Sequence, residues 1–590
     1  MASISPTQPY SRFQKLLNYL RPHWVKVTLG IVALFFVNGL GTYLPILISH
    51  IIDELQSTFQ LSQLLPQVGL IVLLSSLMWG IRMMSRLTLF GVGRQVEFDL
   101  KQQIFEHVLK LDPAYFSTTT VGDLINRATS DVDNIRRLVG FALLSFANII
   151  FAYGLTLPVM LAIDPWLTLA SIAVYPFILL LVRTFGEQLR TQQLTVQQSL
   201  SDLSDLIQED MSGIALIKIY AQEQNEQTEF EHLNKKLLDA NLQLAKTRNI
   251  LFPFLGGLAS ISLLVLLWFG AQAIANGAIT VGGFVALILY LERLIFPTAL
   301  LGFTITAYQR GEVSIDRIES ILTVQPAIAD RPSAIALPLT DIKGELHARK
   351  LTFTYPGASQ PALDRVSFDI YSGETVAVVG PIGSGKSTLA NALPRLLNIQ
   401  SGQLFLDDRD ITQLRLEDLR GAIAYVPQDS FLFSTSIKNN IRYSTPHADQ
   451  KEVEYAAKQA QMHSEIQNFP QGYKTLVGER GITLSGGQRQ RTALSRALVV
   501  DAPILILDDA LASVDNQTAT AILNNLTEGT RRKTVIFISH QLSAAATADR
   551  ILVMDKGQIV QVGTHETLIE KPGLYQTLWK QYQLEKGLTQ

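Results

Sequence analysis

Five stretches in the first half of this chain contain no charged residue, and that constrains what it can fold into. Val27 to Ser49 is 23 residues long, Val139 to Ile163 is 25, and Pro165 to Val182 is 18. Gln56 to Ile81 is also charge-free and is strongly apolar from Val68 onward. Asn249 to Leu291 runs for 43 residues and is broken by Asn276-Gly277, so it holds two spans. A bilayer core takes about 20 residues of helix. The pattern predicts six helices, near 26–50, 64–88, 139–163, 165–184, 250–275 and 279–305. Helices buried inside a large soluble protein are the alternative, but soluble helices keep a polar face and these mostly do not.

Charge orients the spans. No Lys or Arg lies between Lys26 and Arg82, in the link Asp164-Pro165, or around Asn276. Segment 91–138 carries six and segment 183–248 carries seven. Positive loops stay in the cytoplasm. Both termini and the two long loops are therefore expected inside, and the three short links outside. The long loops read as polar helices with an apolar stripe. Limbs of ~25–30 residues would reach ~40 Å below the membrane, as spacers or as contact arms to a second domain.

At 590 residues the chain exceeds one core. The net charge of -2 gives no global attraction to nucleic acid. The absence of cysteine excludes disulfides, thiolate metal sites and a cysteine nucleophile. The polar N-terminus shows no cleavable signal. Domains are expected at 1–323 and 346–590, with a proline-containing linker at 324–345.

Residues 346–590 alternate strand-like runs (TVAVVG, AIAYVPQ, PILILD, TVIFISH) with helical stretches, an α/β pattern with a largely parallel sheet. Gly380-Pro381-Ile382-Gly383-Ser384-Gly385-Lys386-Ser387-Thr388 fits the phosphate-binding pattern GxxxxGK[ST] between a strand and a helix. Its backbone N–H groups can cradle phosphates, Lys386 can neutralise them, and Ser387 can ligate Mg²⁺. Asp508 ends an apolar strand, as a carboxylate holding Mg²⁺ does, or as a simple cap. Leu484-Ser485-Gly486-Gly487-Gln488 opens an amphipathic helix, so Ser485 and two glycine N–H groups face a site that favours anions; a Gly turn with a serine cap is the plain alternative.

With these residues in view, the chain resembles a half-transporter of the ABC exporter superfamily over residues 10–585. The motifs stand in family order: Walker A 380–388, Q-loop VPQD 426–429, signature 484–488, Walker B 504–508, D-loop ASVD 512–515 and switch histidine ISH 538–540. LDPAYFSTTTVGDLINRATSDVDNI (111–135) and MSGIALIKIYAQE (211–223) resemble the family's coupling elements. The resemblance implies a six-helix all-α transmembrane domain followed by an α/β P-loop NTPase domain of ABC type. It implies ATP with Mg²⁺, and a nucleotide held between one copy's Walker A motif and another copy's signature. Tyr355 is implied to stack on adenine. Gln428 is implied to sense Mg²⁺ and the attacking water, His540 to contact the γ-phosphate, and Asp515 to reach across the dimer. Their plain alternatives are a strand-face tyrosine, a surface glutamine, a core histidine and a helix cap.

One position departs from the family. The residue after Asp508, normally glutamate, is Asp509. Aspartate is one methylene shorter, so its carboxylate retracts by ~1.5 Å. A misplacement of ~1 Å can cost ~100-fold in rate. A slow site is expected here unless the backbone moves in. Members of the resembled family with this substitution often pair as heterodimers with one weak and one competent site, so the resemblance implies that the intact LSGGQ serves a partner's competent site, which favours a heterodimer over a homodimer. The expected activity is ATP-driven export of a hydrophobic or amphipathic compound across the plasma membrane. Lipid flipping, peptide export and a mainly regulatory ATP-binding subunit are the alternatives. Expected contacts are a second half-transporter, membrane lipids and a small amphipathic substrate, with no nucleic acid. Arg82, Arg86, Glu292 and Arg293 lie near membrane depth, either as functional charges or as residues that lie close to the cytoplasmic end or pair with each other.

Overall fold

The computed structural model describes residues 12–57, 61–478, 481, 483–527 and 533–588. The chain divides into two compact units, 1–109 with 119–324, and 110–118 with 325–590. Among the described residues the first unit contains six helices long and apolar enough to cross a membrane: α1 (Gln14–Gln56), α2 (Leu64–Val108), α3 (Val121–Ile163), α4 (Pro165–Ser212), α5 (Glu223–Ala275) and α6 (Val281–Leu322).

Every expected span is present, and most run well past their apolar stretch. The helix expected at 64–88 continues to Val108, and that expected at 279–305 continues to Leu322. Backbone hydrogen bonding propagates through polar sequence once a helix is nucleated, so the apolar stretch marks membrane depth and not helix length. The short links follow local chemistry. Asp164 caps α4 by accepting from Leu167 N at 2.8 Å, with Pro165 at the first helical position. Gly277 closes α5 in the left-handed region at φ 67°, and Thr280 caps α6 by accepting from Gly283 N at 3.0 Å.

The helices pack through apolar clusters containing Met160, Ile178, Leu287 and Leu294 in one region and Val92, Ile135 and Ile318 in another. Polar side chains inside the bundle bond across helices. Arg293 of α6 donates to the Asn38 backbone and side-chain oxygens of α1 at 2.9 and 3.0 Å. Asn38 in turn donates to Asn148 of α3 at 3.1 Å. Tyr290, fully buried, donates to the Thr42 carbonyl at 2.6 Å. Such bonds hold helices together where lipid supplies no hydrophobic drive between them. Trp268 and Phe254 of α5 are exposed on this chain, as lipid-facing residues are.

The second unit holds two sheets. The six-stranded one has the order β10-β9-β3-β8-β7-β6. Its strands are β3 (Thr375–Val379), β6 (Ile423–Val426), β7 (Ile504–Asp508), β8 (Thr534–Ile538), β9 (Arg550–Asp555) and β10 (Gln558–Gly563). All neighbours are parallel except β10. A separate antiparallel sheet, ordered β2-β1-β4-β5, comprises β1 (Leu346–Phe353), β2 (Leu363–Ile370), β4 (Leu404–Leu406) and β5 (Arg409–Asp410). Residues 324–345, expected as a linker, are tied down in part: Leu337 N donates to Asp418 at 2.9 Å.

The C-terminal end of α1 and the N-terminal end of α6 approach closely. Gly282 N donates to Asp53 Oδ1 at 2.8 Å, and a Cβ at Gly282 would lie 2.1 Å from the Ser49 carbonyl oxygen. The obstacle is helix backbone, so Gly282→Ala must force the two helices apart. It should cost ~1–3 kcal/mol and lower the melting temperature of the purified protein in detergent. An unchanged melting temperature would contradict this packing.

Candidate functional site

Four of the expected site segments leave adjacent parallel strands at the same edge of one sheet. The P-loop follows β3, His540 follows β8, Asp508 and Asp509 end β7, and Gln428 follows β6. The register makes this specific, since Val378 pairs with Ile538 and Ile538 with Asp508. Ligands of open α/β sheets bind beyond these carboxyl ends.

β3 is buried at every position, and α7 (Lys386–Ala392) starts immediately after the loop. Gly385 adopts φ 97°, and a Cβ there would stand 2.5 Å from the Ala362 carbonyl oxygen, so only glycine fits. Lys386 is buried, and its Nζ donates to the Gly380 and Pro381 carbonyls, each at 2.8 Å. Burial lowers its pKa below the ordinary lysine range, opposed by the charges of Asp509 and Asp508. Ile382 and Gly383 form the exposed tip of the loop.

Ser387 Oγ donates to Asp508 Oδ1 at 2.9 Å. Asp508 is only 2% exposed. Burial raises its pKa; hydrogen bonds from Ser387 and Tyr425 act against that, Asp509's charge adds to it, and Lys386 opposes it. A hydroxyl and a carboxylate side by side form the hard-oxygen donor set that suits Mg²⁺, which takes few protein ligands and the rest from phosphate and water. Among the described residues no group of three or more His, Cys, Asp or Glu gathers as a metal site.

Asp509 is half-buried, and its backbone sits in the left-handed region at φ 49°. Aspartate is one of the few non-glycine residues that tolerate this conformation. Sequence reasoning found the shortened carboxylate but not the turn that carries it. Tyr355 is exposed; its hydroxyl lies 3.2 Å from Thr388 Oγ1, and its ring packs edge-on to Phe353 at 5.0 Å. It therefore stands beside the P-loop helix. His540 is exposed just beyond β8.

The signature sits on a different core. Leu484 is buried with Leu432, Ile437, Val453 and Met462, whereas Leu389 and Ala390 of α7 belong to the cluster between the two sheets. Ser485 caps α8 (Gly486–Leu498) in a capping box: its Oγ accepts from Gln488 N at 3.2 Å, while Gln488 Oε1 accepts from Ser485 N at 2.9 Å. Gln488 and Arg491 are held by Glu465 at 2.9 and 2.6 Å, an anchor that motif reading missed. Gly486 lines an open cleft with Gln428, Gln490 and Ser513. Asp515 caps the next helix by accepting from Thr518 N at 2.9 Å, and this bond holds its carboxyl below the usual range. Both plain alternatives, the serine cap and the aspartate cap, are thus present. Neither the serine hydroxyl nor the aspartate is hidden from solvent.

Comparison with known proteins matches residues 27–298 to the ABC transporter transmembrane region and residues 363–512 to the ABC transporter family. The chain is 32% identical over 98% of both chains to the probable multidrug resistance ABC transporter ATP-binding/permease protein YheI of Bacillus subtilis. It is 32% identical to the multidrug resistance-like ATP-binding protein MdlA of Escherichia coli, covering 98% of this chain and 97% of that one. It is 31% identical to the ATP-dependent lipid A-core flippase of Syntrophus aciditrophicus, covering 97% and 94%. Among solved structures it resembles a bacterial Atm1-family ABC exporter with ATP bound, with a TM-score of 0.77 and 26% identity over 95% of this chain and 99% of the other.

The buried carboxylate makes a pH-dependent prediction. Asp508's folded pKa is raised, so its contribution to stability is fully present below the unfolded pKa and is lost as pH rises through the folded one. Asp508→Asn fixes the neutral form. Without nucleotide and in EDTA, this variant should melt at or above the wild-type temperature at neutral pH. The difference should close as pH falls toward the range where the wild type is protonated. A lower melting temperature at neutral pH would refute it.

Proposed function

This chain belongs to the ABC transporter family, and we propose that it is the slow-site half of a heterodimeric exporter of hydrophobic or amphipathic compounds. It is a multi-pass membrane protein that couples ATP hydrolysis to export, with the half-transporter architecture of one membrane unit and one nucleotide-binding unit. The proposal concerns its partner, its substrate, its orientation and the role of each site residue.

The observation that carries it is Asp509, placed after the metal-side carboxylate and within electrostatic reach of Lys386. In this reading the P-loop N–H groups and Lys386 bind the phosphates. Ser387 and Asp508 hold Mg²⁺, which when bound neutralises phosphate charge. Phosphoryl transfer needs mainly positioning and charge neutralisation. Asp509 polarises the attacking water from a retracted position, His540 orients the γ-phosphate, and Gln428 senses the metal and the water. Tyr355 stacks on adenine. Leu484 to Gln488 and Asp515 serve the nucleotide bound mainly by the partner's Walker A motif. The separation of P-loop and signature onto different cores supports two half-sites that a second copy completes.

ATP binding then joins two nucleotide units head to tail, and hydrolysis releases them, which drives alternating access. The distribution of Lys and Arg supports cytoplasmic termini and a cytoplasmic nucleotide unit in the plasma (inner) membrane. The names of the relatives favour drug-like compounds, and the flippase among them favours a lipid as the second reading.

The test is ATPase activity of the purified chain alone and with a partner half-transporter that carries Glu after its Walker B aspartate. The chain alone should turn over slowly. Asp509→Glu should raise its rate by up to ~100-fold, the order expected from restoring ~1 Å of reach. Full activity from the chain alone, unchanged by Asp509→Glu, would sink the slow-site reading.

A further inference from the structure

We infer that Tyr425 is a positioning residue for the metal-side carboxylate, linking the strand that leads to Gln428 with Asp508 and with the P-loop helix. The inference rests on the proposal that Ser387 and Asp508 hold Mg²⁺.

Tyr425 lies on β6, directly opposite Ile506 of β7. Side chains alternate along a strand, so Asp508, two residues beyond Ile506, shares its face. The diagonal gap between such positions is within reach of an aromatic side chain. The Tyr425 hydroxyl lies 2.9 Å from the Asn391 side-chain amide of α7 and 3.4 Å from Asp508 Oδ2. Ser387 already occupies Asp508 Oδ1 at 2.9 Å. The two oxygens of one buried carboxylate are therefore addressed from two elements, the P-loop helix and the Q-loop strand.

The chemistry favours a directed arrangement. A phenol has one proton, and a carboxylate accepts it more strongly than an amide does. An amide can present either its oxygen or its nitrogen, so Asn391 can donate to the phenol oxygen while the phenol donates to Asp508. The phenol is half-buried. Its ring packs against the core between the two sheets, which fixes the hydroxyl. Gln428 follows three residues later on the same segment, so a shift of the Q-loop strand would move a hydrogen bond on the metal ligand. Groups that orient a metal ligand in this way typically control ~10–100-fold of metal affinity.

The test measures Mn²⁺, as a paramagnetic stand-in, binding to the ATP-loaded full-length protein by electron paramagnetic resonance. Three variants are compared with wild type: Tyr425→Phe, Asn391→Leu and Ser387→Ala. Tyr425→Phe should weaken Mn²⁺ binding ~10-fold or more, with ATP binding in EDTA and melting temperature unchanged. Asn391→Leu leaves the phenol only Asp508 as acceptor and should hold Mn²⁺ affinity within about twofold of wild type. Equal losses in Tyr425→Phe and Asn391→Leu would reveal a packing role and overturn the inference. Wild-type Mn²⁺ affinity in Tyr425→Phe, with loss in Ser387→Ala, would overturn it while leaving the metal site standing. No loss in Ser387→Ala would bring down the metal-site reading itself, and the inference with it.

Discussion

A carboxylate buried at the end of a fully buried strand is the constraint on which the nucleotide unit depends. Asp508 pays for no charge of its own in isolation: burial alone favours its neutral form, and its place is tenable because Ser387 and Tyr425 address its two oxygens and Lys386 lies within reach. Lys386 and Ser387 come from α7 and Tyr425 from β6, so the carboxylate holds β7, α7 and β6 in mutual register. A bound cation would relieve the remaining penalty. A site that is costly without its ligand is a site whose ligand binding is coupled to the arrangement of the surrounding strands.

The second organising feature is the division of labour between cores. The P-loop helix packs on the cluster between the two sheets, while Leu484 anchors the signature in a cluster with Val453 and Met462. Gly487 approaches the D-loop so closely that a Cβ would lie 2.8 Å from the Ser513 carbonyl, and Ser513 N donates to Gln490 at 2.9 Å. Signature and D-loop therefore move together. Gln428 lines the same cleft as the signature helix, so the segment that begins at the end of β6 touches both the metal side and the signature side of this chain.

In the membrane unit the polar residues are few and specific. Arg293 spends hydrogen bonds on Asn38 rather than pairing with its neighbour Glu292, and Asn38 passes the connection on to Asn148. α1, α3 and α6 are thereby tied at a single level. Gly282 and Asp53 tie the N-terminal end of α6 to the C-terminal end of α1.

Much of this was legible in the chain. Charge-free runs located all six membrane helices, because no partner but lipid or another apolar helix can satisfy such a segment. Asp164-Pro165 and Asn276-Gly277 marked breaks through capping chemistry and left-handed backbone preference, both local. The phosphate loop and Asp508 were legible for the same reason, since their spacing and strand context are written in adjacent residues. The antiparallel sheet was not. LHARKLTF and LDRVSFDI mix polar and apolar residues, and their burial comes from pairing with each other and with a strand far along the chain. Nor could motif reading find Tyr425, whose role depends on strand order placing β6 beside β7, or Glu465, which lies outside the signature it anchors. The left-handed turn at Asp509 depends likewise on its N–H reaching the Ile538 carbonyl of β8 at 3.1 Å. The sequence by itself determined which segments cross a membrane and which residue types can hold phosphate and metal, because those follow from local composition and spacing. The tertiary structure alone decided which side chains meet around Asp508 and which core carries each motif, because those contacts are made between residues that only the fold brings together.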